Sequence, residues 1–179
     1  MRFTLGLLVS VLLVPGFAAA QAAPPVTVTL GPAVEARVRD LGKSDLDQIS
    51  QTLAREVGQA AARSGAPVTR IELVLQDVQP NRPTPAQLGR SPSLSPDSRG
   101  LGGAAMTGVM TVGGEQRPIR FRFFQTNPRD ELNFDTWGDA SQAFQMLSER
   151  IARGEAPYDD KPWPPPHRPE TPTGTRIGG

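Results

Sequence analysis

The amino-acid sequence predicts an α+β fold: a two-layer sandwich with a mostly antiparallel sheet of about four strands and two amphipathic helices on one face. Three observations predict it. Two stretches repeat apolar residues at helical spacing, several shorter stretches alternate apolar and polar residues, and a glycine pair separates two of the latter. The expected order is strand, helix, strand, long loop, strand, strand, helix. This order contains no internal repeat and indicates one domain, residues 26–154.

The first 22 residues have the layout of a cleaved secretory signal. Arg2 precedes an apolar run from Phe3 to Val14, and a Pro-Gly pair breaks that run. Two small-x-small cleavage sites follow, Ala18 to Ala20 and Ala20 to Ala22, and the sequence does not choose between them. The apolar run is shorter than the ~20 residues that a membrane-spanning helix needs. We therefore expect an exported protein, periplasmic or secreted, with no transmembrane segment after cleavage.

Charge and cysteine content limit the class of protein. The chain has 19 Lys and Arg and 18 Asp and Glu, and removal of Arg2 with the signal leaves 18 of each. A near-neutral protein lacks the basic surface that nonspecific nucleic-acid binding requires. The chain has no cysteine, so its stability in an oxidising compartment must come from a packed core. A lipid anchor on a cysteine is excluded for the same reason.

The first strand and the first long helix have clear patterns. Val26 to Leu30 alternates apolar residues with threonine, and the next stretch, AVEARVRDLG, fits either an irregular connection or a helical turn. Ser44 is the expected N-cap of the helix, which ends before Gly65. Its apolar stripe has helical spacing. The stripe consists of Leu46, Ile49, Leu53, Val57 and Ala60.

Three further strands are expected. Thr69 to Val78 alternates apolar and polar residues and is the second strand. The stretches GGAAMTGVMTV and EQRPIRFRFFQ predict a β-hairpin, because Gly113 and Gly114 between them supply the positive φ angles of a tight turn. Pro118 has no backbone N–H to donate, which favours an edge position for the last strand.

The second long helix begins near Thr136, with Asp139 as the expected capping partner, and ends at Gly154. Its apolar stripe consists of Trp137, Ala140, Phe144, Leu147 and Ile151. Residues 155–179 are rich in proline and poor in apolar residues, so we expect a disordered or extended tail. The stretch KPWPPPHRP in this tail fits both a ligand for a proline-binding partner and a simple spacer.

The long loop carries the candidate functional residues. It runs from Gln79 to Leu101, with three prolines around Asn81 and Arg82, and it leads into Gly102 and Gly103. The prolines restrict the backbone and hold Asn81 and Arg82 as a fixed pair. Two interpretations remain open. These four residues bind a partner, or they structure the loop through hydrogen bonds to nearby backbone.

Motifs for catalysis are scarce. The only histidine, His167, lies in the tail, so we expect no histidine in the core, and the chain has no cysteine. Together these two observations exclude Ser-His-Asp triads, Cys-His systems and the usual zinc sites. Paired carboxylates can still hydrolyse glycosides. The candidates are Asp77, Glu131, Asp135 and Asp139. Because the same residues fit a strand end, a loop and a helix start, we predict no catalytic residue, no metal and no cofactor.

Two other stretches imitate binding motifs. Gly100 to Ala105 resembles a dinucleotide-binding glycine motif, but it follows a loop and opens a strand where that motif opens a helix. The arginines of RPIRFRFF alternate with aromatic residues, as on some nucleic-acid platforms. They also fit the charged outer face of an edge strand. We expect the edge strand and no nucleic-acid partner.

Three stretches taken together resemble a family of small exported proteobacterial proteins with no assigned activity. They are DVQPNRPT, LSPDSRGLGGA and TWGDASQAF, and the resemblance covers residues 26–154. It implies no substrate, cofactor or catalytic residue. The order of elements is also similar to that of small α+β domains in envelope-assembly and transport-accessory proteins, which is a likeness of fold alone.

The leading functional hypothesis is a non-enzymatic periplasmic protein that binds another component of the cell envelope, such as an envelope protein. The alternatives are a carboxylate-dependent hydrolase and a structural envelope protein tethered through its proline-rich tail. The sequence specifies neither the partner nor the oligomeric state.

Overall fold

A computed structural model describes residues 22–127 and 135–163 of the chain. Glu131, His167 and residues 1–21 of the expected signal lie outside the described residues. The elements within it are β1 (Val26–Leu30), α1 (Pro32–Glu35), α2 (Val38–Leu41), α3 (Lys43–Arg63), β2 (Val68–Gln79), α4 (Pro85–Leu88), β3 (Gly103–Val112), β4 (Glu115–Phe124) and α5 (Gly138–Ala152).

The four strands form one mixed sheet in the order β1-β2-β3-β4. β1 runs parallel to β2, while β2–β3 and β3–β4 are antiparallel. A parallel pair requires a long crossover, and α1, α2 and α3 form it. The long helices α3 and α5 pack against each other and against the sheet. The predicted two-layer α+β sandwich is therefore confirmed.

The hydrophobic core lies between the sheet and the two long helices. Alternation along β2 buries Ile71, Leu73 and Leu75 on one face of the sheet. Glu72 of β2 and its neighbour Thr27 of β1 lie on the opposite face and are exposed. Both predicted helical stripes are buried in this core. Gly113 and Gly114 adopt positive φ angles of 58° and 86° in the hairpin turn, as the sequence indicates.

The two predicted helix N-caps are wrong. α3 begins at Lys43, directly after α2, and its N-cap is Gly42, whose carbonyl accepts a hydrogen bond from the amide of Leu46. Ser44 therefore lies inside the first turn. α5 begins at Gly138 with no side-chain cap. Asp139 is unavailable for capping because its carboxylate accepts a hydrogen bond from another segment, as described below.

β4 is an edge strand, as Pro118 and the arginine pattern indicate. After α5 the chain returns to this edge through residues 155–163, which we call the C-terminal segment. The amide of Arg120 donates to the carbonyl of Pro157 at 2.8 Å, and the amide of Asp159 donates to the carbonyl of Arg120 at 3.0 Å. These bonds make a short parallel bridge to Tyr158. The first nine residues of the predicted tail thus contact the domain.

In the described part of the chain, no helix is both long and apolar enough to cross a bilayer.

Glu56 is the one charged group in the described helices with a clearly shifted pKa. It lies in a groove between α3 and α5, beside Ser148 and Gln145. Its Oε2 atom is buried and has no hydrogen-bond partner among the described residues. Burial raises the pKa of this carboxyl above its ordinary value, and the neighbouring Arg55 partly opposes the shift. Ionised Glu56 is therefore less favourable in the folded protein than in the unfolded chain.

Replacing Glu56 by Gln should stabilise the protein at neutral pH. A carboxyl whose pKa is higher in the folded than in the unfolded state makes its full contribution to the free energy of unfolding only at pH values below its unfolded-state pKa. That contribution is lost as the pH rises through the folded-state pKa. The E56Q variant escapes that loss, so we expect its free energy of unfolding at pH 7 to exceed that of the parent by a few tenths of a kcal/mol. Urea denaturation at pH 7 and near pH 4 measures this.

The gain should disappear near pH 4, where both side chains are neutral. Glu149→Gln removes the same charge from an exposed position of the same groove and serves as the control. An equal gain in E56Q and E149Q, or a gain in E56Q that does not depend on pH, contradicts the assignment.

Candidate functional site

The candidate residues of the long loop are mostly buried. Asn81 is 4% exposed, and Gly102 and Gly103 are buried, while Arg82 is half-buried. The structure brings Asn81 and Gly102 together and adds Asp139, which the sequence suggested only as a helix cap or a catalytic carboxylate. These residues come from the three stretches PNRPT, LGGA and TWGDA, which are far apart in the sequence.

A buried hydrogen-bond network joins the three stretches, and we call it the Asn81–Gly102–Asp139 network. The amide of Gly102 donates to Oδ2 of Asp139 at 2.9 Å. The amide of Asp139 donates to Oδ1 of Asn81 at 3.4 Å, and the amide of Asn81 donates to the carbonyl of Thr136 at 3.0 Å. The carbonyl of Asn81 accepts from Gly100 at 3.0 Å. Asn81 therefore acts on backbone groups of its own chain.

Two glycines permit this close approach of three backbones. A Cβ atom at Gly102 would lie 2.8 Å from the carbonyl oxygen of Gln79 and 3.0 Å from the amide nitrogen of Asn81. Gly103 has a φ of 150°, and a Cβ there would overlap the carbonyl of Phe123. Both glycines of the LGGA stretch are thus required by packing.

Residues 84–90 of the long loop dock on α2. Thr84 and Gln87 form a reciprocal capping box that starts α4, a feature absent from the sequence-based expectations. The side chain of Gln87 also donates to Asp40 at 3.1 Å, and Arg90 donates to the other carboxylate oxygen of Asp40 at 2.7 Å. Thr84 is fully buried and donates to the carbonyl of Asp40 at 3.3 Å. This half of the loop is part of the packed domain, whereas residues 92–97 are exposed.

The candidate catalytic carboxylates have structural partners or lie elsewhere. Asp77, 6% exposed, is ion-paired with the buried Arg37 at 3.4 Å. Asp139 is 2% exposed and accepts from Gly102, whereas Asp135 is exposed. Glu131 lies outside the described residues. Buried carboxylates that are bonded to their own chain are typical of structural roles.

A pocket at the β4 edge of the sheet was not predicted as a site. It lies between β4, α5 and the C-terminal segment and encloses about 290 Å³. We call it the β4 pocket. Its walls carry four cationic side chains, one carboxylate and two aromatic rings. They are Arg120, Arg122, Arg150, Lys161, Asp159, Phe121 and Tyr158.

Aromatic rings hold the guanidinium groups of the β4 pocket in place. Arg122 lies 5.2 Å from the ring centre of Phe124, and Arg150 lies 5.7 Å from that of Phe121. Such stacking orients a guanidinium and leaves its N–H groups available at the edge. Among the described residues, neither Arg122 nor Arg150 has an ion-pair or hydrogen-bond partner. Their charges are therefore not compensated by that part of the chain.

Arg120 connects the pocket to the C-terminal segment. Its guanidinium donates to the carbonyl of Lys161 at 3.1 Å and lies 4.6 Å from the ring centre of Trp163. The Nε atom of Arg120 and the Nε1 atom of Trp163 are buried, and neither has an acceptor in the described residues. Buried donors without acceptors are costly, so this corner lowers the stability of the contact between Arg120 and the C-terminal segment.

Sequence reasoning missed this pocket because its residues come from three separate elements. The alternating arginines of RPIRFRFF were noticed and assigned to the outer face of an edge strand, which is where Arg120 and Arg122 lie. Arg150 follows the polar side of a helix and gives no separate signal. The C-terminal segment is held on β4 by backbone hydrogen bonds, which no side-chain pattern indicates.

Comparison with protein-family models and with curated proteins gives no match to this chain.

Removing either polar side chain of the Asn81–Gly102–Asp139 network should destabilise the domain. Asn81→Ala and Asp139→Ala each leave buried backbone N–H groups without an acceptor, at a cost of about 1–3 kcal/mol in the free energy of unfolding. Because the two residues share the network, the double variant should lose less than the sum of the single losses. Urea denaturation of the four proteins measures both quantities.

Asp97→Ala is the matched control, because Asp97 lies exposed in the same loop and should change stability by less than about 0.5 kcal/mol. Changes as small as the control's in N81A and D139A would show that the network does not stabilise the fold, and strictly additive losses would show that its two side chains act independently.

Proposed function

We propose that this protein is an exported, non-enzymatic protein of the cell envelope that binds another envelope component through the β4 pocket. The observation that carries the proposal is the pair Arg122 and Arg150, two stacked guanidinium groups without ion-pair partners among the described residues, on the walls of one pocket. Unpaired, oriented cations in a concave surface are suited to recognition of a partner.

The signal-like N-terminus supports export. The Asn81–Gly102–Asp139 network argues against the long loop as the binding site. The side chain of Asn81, a candidate binding residue of that loop, is engaged with the backbone of its own chain. A partner at Asn81 would have to break buried hydrogen bonds. The β4 pocket requires no such change.

The alternative functions gain less support. Hydrolysis by paired carboxylates needs two such groups facing a substrate cleft, whereas Asp77 is held by Arg37 and Asp139 by Gly102. A tether through the proline-rich tail would have to leave from the β4 edge, because residues 157–163 already contact Arg120 there. The same contacts make the tail a wall of the binding site.

Site-specific photo-crosslinking in cells expressing the full chain tests the proposal. A photoreactive residue at Tyr158, which is 56% exposed and lines the pocket, should form a defined adduct with an envelope component, and one at Leu94, exposed in the long loop, should not. The double variant Arg122→Gln/Arg150→Gln should lose most of the Tyr158 adduct, because it removes the unpaired charges.

The matched control is Arg117→Gln/Arg153→Gln. These arginines lie on the same strand and just after the same helix, are ion-paired with Glu115 and Glu155, and do not line the pocket. It removes the same charge and should keep the adduct. Both double variants must retain the parental unfolding midpoint. The proposal fails if no adduct forms at Tyr158, or if both double variants lose it equally.

A further inference from the structure

We infer that the β4 pocket recognises a phosphate group carried by a larger molecule. This inference rests on the proposed function, because it assigns a ligand chemistry to the same pocket.

The charge balance of the pocket favours a multiply charged anion. The residues that line the pocket include three arginines and Lys161 but only one acidic residue, Asp159. A monocarboxylate would leave most of this positive charge uncompensated. A phosphate monoester carries up to two negative charges, and its several oxygens match the forked donors of arginine.

The donor atoms of the pocket point to the same chemistry. Arg122 lies near the ring of Phe124 and Arg150 near that of Phe121, and these contacts favour positions of the two guanidinium groups at the pocket wall before a ligand arrives. A phosphate monoester presents three terminal oxygens, and so reaches donors on different walls of a pocket, whereas a carboxylate presents two oxygens in one plane.

The size of the pocket indicates that the phosphate is part of a larger molecule. Its volume of about 290 Å³ equals that of about ten water molecules at ~30 Å³ each. Tyr158 is 56% exposed at its wall and supplies an aromatic surface beyond the cations. A phosphate bound by the arginines would leave room for the group that carries it. A lipid headgroup and a soluble phosphate ester share this chemistry.

Binding measurements on the mature chain test the inference. The probes are inorganic phosphate, glycerol 3-phosphate and acetate at constant ionic strength, measured by titration calorimetry, and vesicles of phosphatidylglycerol or phosphatidylcholine, measured by flotation. At least one phosphate probe should bind saturably and at least tenfold more tightly than acetate. R122Q/R150Q should weaken that binding about 100-fold, since each lost charge-assisted hydrogen bond costs about tenfold or more. R117Q/R153Q should change it less than threefold.

The source of the phosphate follows from which probe binds. Saturable binding of glycerol 3-phosphate without flotation supports a soluble ester, and selective flotation with phosphatidylglycerol supports a lipid headgroup. Acetate binding as tight as phosphate, equal weakening in both double variants, or no saturable binding of any phosphate probe overturns the inference. If the Tyr158 adduct depends on Arg122 and Arg150 while no phosphate probe binds, the proposed function stands and the phosphate assignment alone fails.

Discussion

The hydrogen bond from the amide of Gly102 to the buried carboxylate of Asp139 is the interaction on which the geometry of this protein depends. It joins the start of β3 to the first turn of α5, and Asn81 adds the end of β2 to the same point. Asp139 lies in the first turn of α5, where the positive end of the helix dipole offsets the cost of burying its charge. Asp139 therefore joins three distant parts of the chain, because its carboxylate accepts from Gly102 and its amide donates to Asn81.

The position of the β4 pocket follows from this attachment. Arg150 is eleven residues after Asp139 on the same helix, or about 16 Å along its axis at 1.5 Å per residue. The end of α5 that is fixed by Asp139 therefore sets where Arg150 meets Phe121 and where the chain leaves toward β4. The C-terminal segment then covers part of the β4 edge through Arg120, which protects an exposed edge strand, and forms one wall of the pocket. One stretch of backbone thus serves stability and the proposed binding.

The parts of the fold that depend on local pattern could be predicted from the sequence. Alternation at Ile71, Leu73 and Leu75 gave β2, and the Gly113-Gly114 pair gave the hairpin, because both signals act within a few residues. The contacts between distant segments could not be predicted this way. Asp139 is a residue type that commonly caps helices. Its hydrogen bond to Gly102, however, depends on how β3 and α5 meet. The β4 pocket was missed for a related reason. A near-neutral chain can still carry separate patches of opposite charge, and Arg150 joins Arg120 and Arg122 only after folding.

Hydrogen exchange of individual amides, followed by NMR, tests most directly whether Gly102 and Asp139 hold the domain together. If their bond is a permanent part of the fold, the Gly102 amide should exchange only through global unfolding, with protection equal to that of amides in the centre of β2 and β3. An amide in the exposed loop at residues 92–97 should exchange many orders of magnitude faster. Exchange of the Gly102 amide at the rate of that loop would contradict the account.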